Sequence, residues 1–352
     1  MGVEMRNKIT ISVSVPLFNR LDLFKKTVNS VFAQAEPPDE FIIVDNGSTD
    51  GSYEYALTLK GKGVKVYRNK TNIGMIGNWN ETIKRSNSEF VVSLHSDDLL
   101  MPDYIKTWKE KINKLNNKSD IGAFFSGGYI IDGEDRVKAV YQPFKKDMLL
   151  KPPTTITYMW NNFHFHLSVT GWTLYNRSIM QKVGYFTSNY NIAAENEMAM
   201  KIFPSYPVFY SSALEFAFRR HGLQGFDKKV VQFSLNQEVK NAQDALKVYY
   251  DYEINKKVIA SFSLKERREG LFVKLPTSFF IAQALAFLVF LDFKHAKAYF
   301  NIFRTSYPKP IFSFQTLKLF VVWITRLVKT YISNVQIQLR MGRKPILDYF
   351  RV

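Results

Sequence analysis

Residues 89–102, EFVVSLHSDDLLMP, hold a run of strand formers that ends in two adjacent carboxylates. Phe90, Val91, Val92 and Leu94 read as a buried strand of about five or six residues, and Asp97 and Asp98 follow where such a strand passes into a loop. Open α/β sheets carry their chemistry there, beyond the carboxyl ends of the strands. Extended backbone alternates its side chains, so if strand geometry continues past Leu94, His95 and Asp97 share one face and Ser96 and Asp98 the other. Two carboxylates about 4 Å apart repel by roughly 4 kcal/mol at an effective dielectric of about 20, and a bound divalent cation relieves that repulsion. A helix cap is the competing use, because Asp98 or Ser96 can cap a helix opening at Pro102 or Asp103. Taken alone, the stretch leaves both readings open.

The preceding segments supply its neighbours. ITISVSV (9–15) alternates as a first strand, Pro16 to Arg20 forms the loop leaving it, and Leu23, Val28, Val31 and Phe32 give helical spacing over 21–35 before Pro37-Pro38. A second strand over 40–44 ends in Asp45-Asn46-Gly47-Ser48-Thr49-Asp50, a set of turn formers in which Thr49 or Asp50 can cap the next helix. A third strand over 64–67 is followed by Asn69 to Gly74 and a helix over about 76–86. Strands alternating with helices in this way predict an α/β fold with a doubly wound, mostly parallel sheet. Its carboxyl edge then gathers Asn19-Arg20, Asp45-Asn46 and Asp97-Asp98 into one polar, acidic cleft. No G-x-G-x-x-G follows the first strand and no G-x-x-x-x-G-K-[ST] occurs, which argues against dinucleotide dehydrogenases and P-loop nucleotidases.

The chain has 352 residues, 46% hydrophobic and 22% charged, enough for one large or two medium globular domains. It has no cysteine, so any metal ligands are carboxylate, imidazole and water, and a reducing compartment is the expected setting. MGVEMRNKIT lacks the apolar core of a secretory signal, and Arg6 spoils a myristoylation reading of Gly2, so the protein is expected to begin in the cytoplasm. The formal net charge is +17; the last 82 residues carry 12 Lys or Arg against 2 Asp or Glu, which is +10 of it. Charge so concentrated predicts an anionic partner, a membrane leaflet or a nucleic acid.

ISVSVPLFNR, FIIVDNGSTDGS, NKTNIGMIGNWN and VVSLHSDDLLMPDYI, continued by TGWTLYNRSIMQKVGYF, AAENEMAMKI and FRRHG, together resemble the inverting nucleotide-sugar glycosyltransferases of family 2, which have the GT-A fold. The likeness spans roughly residues 8–225, about 60% of the chain, so 1–225 is expected to be the catalytic domain. VDNGSTD and SDD are each weak signals; the order of the segments carries the resemblance.

The resemblance implies a donor site made by Pro16, Asn19 and Asp45, with Asp45 accepting from the base N–H, and by Asn72, Asn78, Asn80 and Ser96. For Asp45 the competing role is an Asx turn, and for Asn72 and Asn78 turn and helix-start positions. The family's Asp-x-Asp reads His95-Ser96-Asp97 here, followed by Asp98. Asp97 and His221 are the implied ligands of Mg²⁺ or Mn²⁺, with His95, Asp98 and Arg220 beside the sugar or diphosphate. His95 departs from the family's aspartate, and a strand-end polar residue is its plain reading. Glu195 is the implied base, with Met198 and Lys201 at the family's spacing; Ala194 departs from a usually acidic place, and Glu197 lies about 200° away on the helix. Trp172 matches the segment beneath the acceptor sugar, with core packing as its alternative, and His164 and His166 within 163–166 are read as structural.

Residues 226–352 read as helical and basic. The apolar run 279–291 is shorter than a membrane-spanning helix needs. Over 314–332, Lys318, Thr325, Arg326 and Lys329 fall within about 100° of one another beside a wide apolar face, as in a helix lying on an anionic membrane. A helix packed on the catalytic domain and a dimer interface are the alternatives, and the interleaved apolar face argues against nucleic acid. The expected protein moves one sugar from a nucleotide donor, a UDP-sugar, to a lipid-linked glycan during surface polysaccharide assembly, as in O-antigen or capsule, at the inner face of the cell membrane. The rival is an inactive, sugar-binding relative.

Overall fold

The computed structural model describes residues 8–152, 155, 170–187 and 194–220. The expectations for His221, for 163–166 and for the basic segment 226–352 lie outside the described residues.

Among the described residues ten strands form one mixed sheet: β1 Ile11–Leu17, β2 Glu40–Asp45, β3 Lys65–Arg68, β4 Phe90–Ser93, β5 Leu99–Leu100, β6 Ala123–Ile131, β7 Val137–Tyr141, β8 Met148–Leu150, β9 Leu174–Asn176 and β10 Val208–Arg219. Their order is β3-β2-β1-β4-β9-β6-β10-β5, with β7 paired to β6 and β8 to β10. The first four are parallel, as the alternation of strands and helices predicts. β9 then inserts antiparallel between β4 and β6, so the later half is mixed. All seven residues of β1 are buried although every second one is polar or small. Its serines are tolerated inside because they are paired: Ser14 Oγ donates to the Val92 carbonyl at 3.1 Å, and Ser12 sits among Glu40, Ser86 and Ser88.

Helices α1 Leu21–Phe32, α2 Ser52–Thr58 and α4 Tyr104–Asn113 cover one face of the parallel half, and α3 Gly74–Lys84, α5 Arg177–Val183 and α6 Ala194–Ile202 cover the other. In α1 the buried stripe is Phe24, Val28 and Val31, while Phe32 is 42% exposed and the helix stops there, short of Ala35. Asp50 starts two helices at once: one carboxylate oxygen accepts from the Leu21 N–H at 3.0 Å and the other from the Ser52 N–H at 3.1 Å. No described helix is long and apolar enough to cross a membrane.

β10 changes register against β6 on either side of Leu214, and Glu215 lies at this irregularity, only 6% exposed. Burial, with the Asp103 charge adding to it and Thr107 and Lys111 opposing, lifts the Glu215 carboxyl from 4.5 to about 7. A carboxyl raised on folding loses stability as pH climbs from its unfolded value through its folded one. Wild-type protein is therefore expected to lose about 3 kcal/mol of unfolding free energy between pH 4.5 and 7.5 from this group. Denaturant titrations across that range check it: the decline should be shallower in Glu215→Gln, and parallel curves for the two proteins would exclude the effect.

Candidate active site

The chain runs outward from β1 to β2 and β3, then returns to place β4 on the opposite side of β1, so a crevice opens between the carboxyl ends of β1 and β4. The pairing itself widens it. β1 stays with β2 to Leu17↔Asp45 but leaves β4 after Ser14↔Ser93. Pro16, which has no N–H to give, falls just past the point where the β4 ladder ends.

On the β1 side, Asn19 and Arg20 are successive left-handed residues, with φ of 57° and 70°. Such conformations cost non-glycine residues about 1–3 kcal/mol each and persist where the surroundings impose them. Here the Asn19 N–H donates to Ser48 Oγ at 2.8 Å, and its side-chain carbonyl accepts from the Thr49 N–H at 2.9 Å. The result carries Arg20 across the crevice, where Nη1 donates to Asp97 Oδ2 at 2.6 Å.

Asp45 is fully buried at the end of β2. Its carboxylate accepts from the N–H groups of Gly47 and Ser48 and pairs with Arg68 Nε at 3.0 Å, so the Asx-turn role is the one realised in this structure. Arg68 in turn lies 4.2 Å from the centre of the Tyr53 ring. Asn72 is a turn residue, accepting from Asn46 Nδ2 and from the Gly74 N–H, both at 2.8 Å. Asn78 sits inside α3, not at its start. Its amide donates to the carbonyls of Leu17 and Val44 and accepts from Asn69, tying β1 to β2. That leaves it a structural clamp beneath the crevice. Asn80 exchanges two hydrogen bonds with the backbone of Phe186 and takes no part in the rim.

Beyond β4 the strand does not persist. A turn, closed by the Asp98 N–H donating to the His95 carbonyl at 3.2 Å, replaces the alternation expected past Leu94, and Ser96 is buried within it. His95, Asp97 and Asp98 therefore converge: each offers a ligand atom, all within 4.8 Å of one another. Neither Asp98 nor Ser96 caps the next helix. The α4 start is served by Gln34 Oε1, which accepts from the Ile105 N–H at 3.1 Å, because the short strand β5 intervenes. Asp98 instead accepts from the Arg219 N–H at 2.8 Å. Burial, and then the neighbouring Asp97 charge, hold its carboxyl well above the usual range. Burial also lowers His95, whose ring stacks on Trp79 at 5.1 Å.

Arg219, the last residue of β10, turns inward, and Arg220, just past the strand, turns outward. Arg219 has no exposed surface; it donates to the Asp97 carbonyl through Nε at 2.7 Å, to the Asp132 carbonyl at 3.1 Å, and pairs with Asp135, which also holds Lys26 Nζ at 2.5 Å. Arg220 is exposed, its N–H donating to the Ile131 carbonyl. Trp172 is 6% exposed and one ring face is taken by Phe216, centroids 4.1 Å apart, which is packing geometry and leaves that face closed to a sugar. Gly171 beside it leaves no room for a side chain against the acidic turn: a Cβ there would lie 2.9 Å from Asp98 Oδ2 and 3.1 Å from His95 Nδ1. On α6, Glu197 is buried, accepting from Thr187 Oγ1 at 2.6 Å and pairing with Lys201 at 2.7 Å, while Glu195 is half-buried on a different side.

Residues 12–184 match the family model described as Glycosyl transferase family 2. This region belongs to that family. Two similar curated relatives are uncharacterized glycosyltransferases of Rickettsia conorii, 26% identical over 219 residues, and Rickettsia prowazekii, 25% identical over 215 residues. The alignments cover 62% and 61% of this chain but only 35% and 65% of those relatives, so the match spans less than two thirds of either. Among solved structures, residues 1–349 of S. aureus TarS in complex with UDP-GlcNAc superimpose with a TM-score of 0.54 at 17% identity, covering 85% of this chain and 92% of that one. That likeness shows the GT-A fold.

Family 2 glycosyltransferases usually work with a divalent metal, and the residues present fit one. Asp98 Oδ2 and His95 Nε2 are buried without hydrogen-bond partners. His95 Nδ1 and Asp98 Oδ2 stand 3.6 Å apart, too far for a hydrogen bond and within the span of two ligands on one cation. Arg20 and Arg219 both bond Asp97, yet the sequence gives Arg20 only a place on the cleft edge and Arg219 only a place within FRRHG, with no role for either. Arg20 adjoins the motif residue Asn19; Arg219 neighbours Arg220 and is distinguished from it by strand register.

Proposed function

We propose that this chain transfers a single sugar, with inversion, from a UDP-sugar to a lipid-linked glycan acceptor in surface polysaccharide assembly. One observation carries the reading: within a family 2 region, His95, Asp97 and Asp98 converge at the carboxyl end of β4 and face Arg20 across the β1–β4 crevice. A relative in fold, TarS, was solved with UDP-GlcNAc, which favours a uridine donor here. Asp97, with His95 and Asp98 beside it and His221 from outside the described residues, would hold Mg²⁺ or Mn²⁺. The cation supplies charge neutralisation for a departing diphosphate. Pro16, Asn19, Asp45, Asn72 and Ser96 border the donor pocket in this reading, and an Asp45 released by Arg68 accepts from the base N–H. Glu195 takes the proton of the attacking acceptor hydroxyl, since Glu197 is committed to Thr187 and Lys201. Residues 1–225 form the catalytic unit, and 226–352 carry it to the inner membrane surface through their basic, amphipathic segment.

Thermal-shift measurements against UDP-, GDP- and dTDP-sugars, with and without Mn²⁺, test the donor and the cation together. A ligand at about 100 times its Kd stabilises by about 2.7 kcal/mol. UDP-sugars should raise the melting temperature most, and more with Mn²⁺; stabilisation by none of the three would overturn the assignment.

A further inference from the structure

The strained Asn19–Arg20 pair achieves one thing: it aims a guanidinium at the acidic turn. Arg20 Nη1 lies 2.6 Å from Asp97 Oδ2 and keeps 24% of its side chain exposed, against 8% for Asp97. The turn on the other side is fixed, because Arg219, wholly buried, grips the Asp97 carbonyl, and its N–H grips Asp98. Of this ion pair, the arginine is the member able to move. Among the other described cations, Lys26 pairs with Asp135 and Arg68 with Asp45, while Arg219 pairs with Asp135 and also lends its charge to Asp98 from a fixed, buried position.

We propose that Arg20 is a placeholder charge. It neutralises Asp97 until a divalent cation arrives there, and is then displaced onto the diphosphate of the donor. This rests on the cation-assisted reading above. A guanidinium in contact with a carboxylate opposes a divalent cation on the same group by like-charge repulsion. A diphosphate offers the displaced guanidinium a new anionic partner whose oxygens match its planar fork of donors. Arg20 thereby competes with the metal and assists the nucleotide, two effects of opposite sign from one side chain. A residue that served only the fold would not produce them.

The test uses the full chain, with Mn²⁺ binding followed by electron paramagnetic resonance of the free ion and UDP binding by calorimetry at saturating Mn²⁺. Arg20→Met should bind Mn²⁺ about fivefold more tightly and UDP about tenfold more weakly than wild type. Arg20→Gly, which adopts the left-handed backbone without strain, should show the same pair of shifts and serves if the methionine variant folds poorly. Arg20→Lys keeps the charge without the fork and should fall between. Unchanged or weaker Mn²⁺ binding in the methionine and glycine variants would overturn the placeholder role, and unchanged UDP binding would overturn the diphosphate contact. If wild type binds UDP but no Mn²⁺, the cation-assisted reading fails, and this proposal with it.

Discussion

Glu195→Gln is expected to lower sugar transfer by about 10²–10⁴-fold, the usual contribution of a positioned base and equivalent to about 3–5 kcal/mol of barrier. Donor affinity should stay within about twofold of wild type, because an amide keeps the size and the hydrogen-bonding oxygen while losing basicity. The neighbouring Glu197 provides the contrast. It is 3% exposed, holds Thr187 through Oε2 and pairs with Lys201 through Oε1, so its neutralisation should act on the fold and only secondarily on turnover. Kinetics of both variants, read beside their melting curves, separate the two. Near-normal kcat in Glu195→Gln would remove Glu195 as the base.

Arg219→Met should destabilise the described region by about 3–5 kcal/mol, the effect of removing one partner from a buried ion pair. In a domain of this size that corresponds to a fall in Tm of about 6–20 °C. The guanidinium has no exposed surface, and with it gone the carbonyls of Asp97 and Asp132 lose a donor while Asp135 keeps Lys26 alone. Adding Asp135→Asn should restore part of the loss, since replacing both members of a buried pair is milder than breaking it. A single-variant Tm within about 2 °C of wild type would show that the network contributes little.

The first half of the fold is legible because its signals are local. Alternating or continuous apolar runs mark β1 to β4, turn residues follow each, and the parallel order then forces Asn19, Asp45 and Asp97 onto one edge. Helix α2 is less visible: seven residues, entered through a left-handed Gly51 that has no side chain to cap it, so that the carboxylate of Asp50 serves instead. The second half depends on distant pairing. β9 joins β4 across more than 70 residues of chain, and β10 shifts register twice, which breaks the period that would tell which of Arg219 and Arg220 faces inward. The site divides in the same way. The acidic turn and its position could be read from one stretch, whereas the contact of Arg20 with Asp97 spans 77 positions and rests on a backbone conformation arginine seldom adopts. For Trp172 and Asn78 the resemblance implies ligand contacts and leaves packing or helix-start roles open, since a motif cannot report which ring face or amide is already occupied.

Gly171 leaves bare backbone lying against Asp98 and His95, with no cushion of side-chain atoms between them. The turn it belongs to comes from beyond residue 169, the acidic groups from before residue 99, so two distant parts of the chain approach there until no room is left for a Cβ. Interiors packed this tightly transmit displacement instead of absorbing it. A small shift in the 170–172 turn would press on the imidazole and, through its stack on Trp79, on helix α3. Drift in either part would have to be answered in the other, which makes this glycine a mechanical key between the two halves of the sheet.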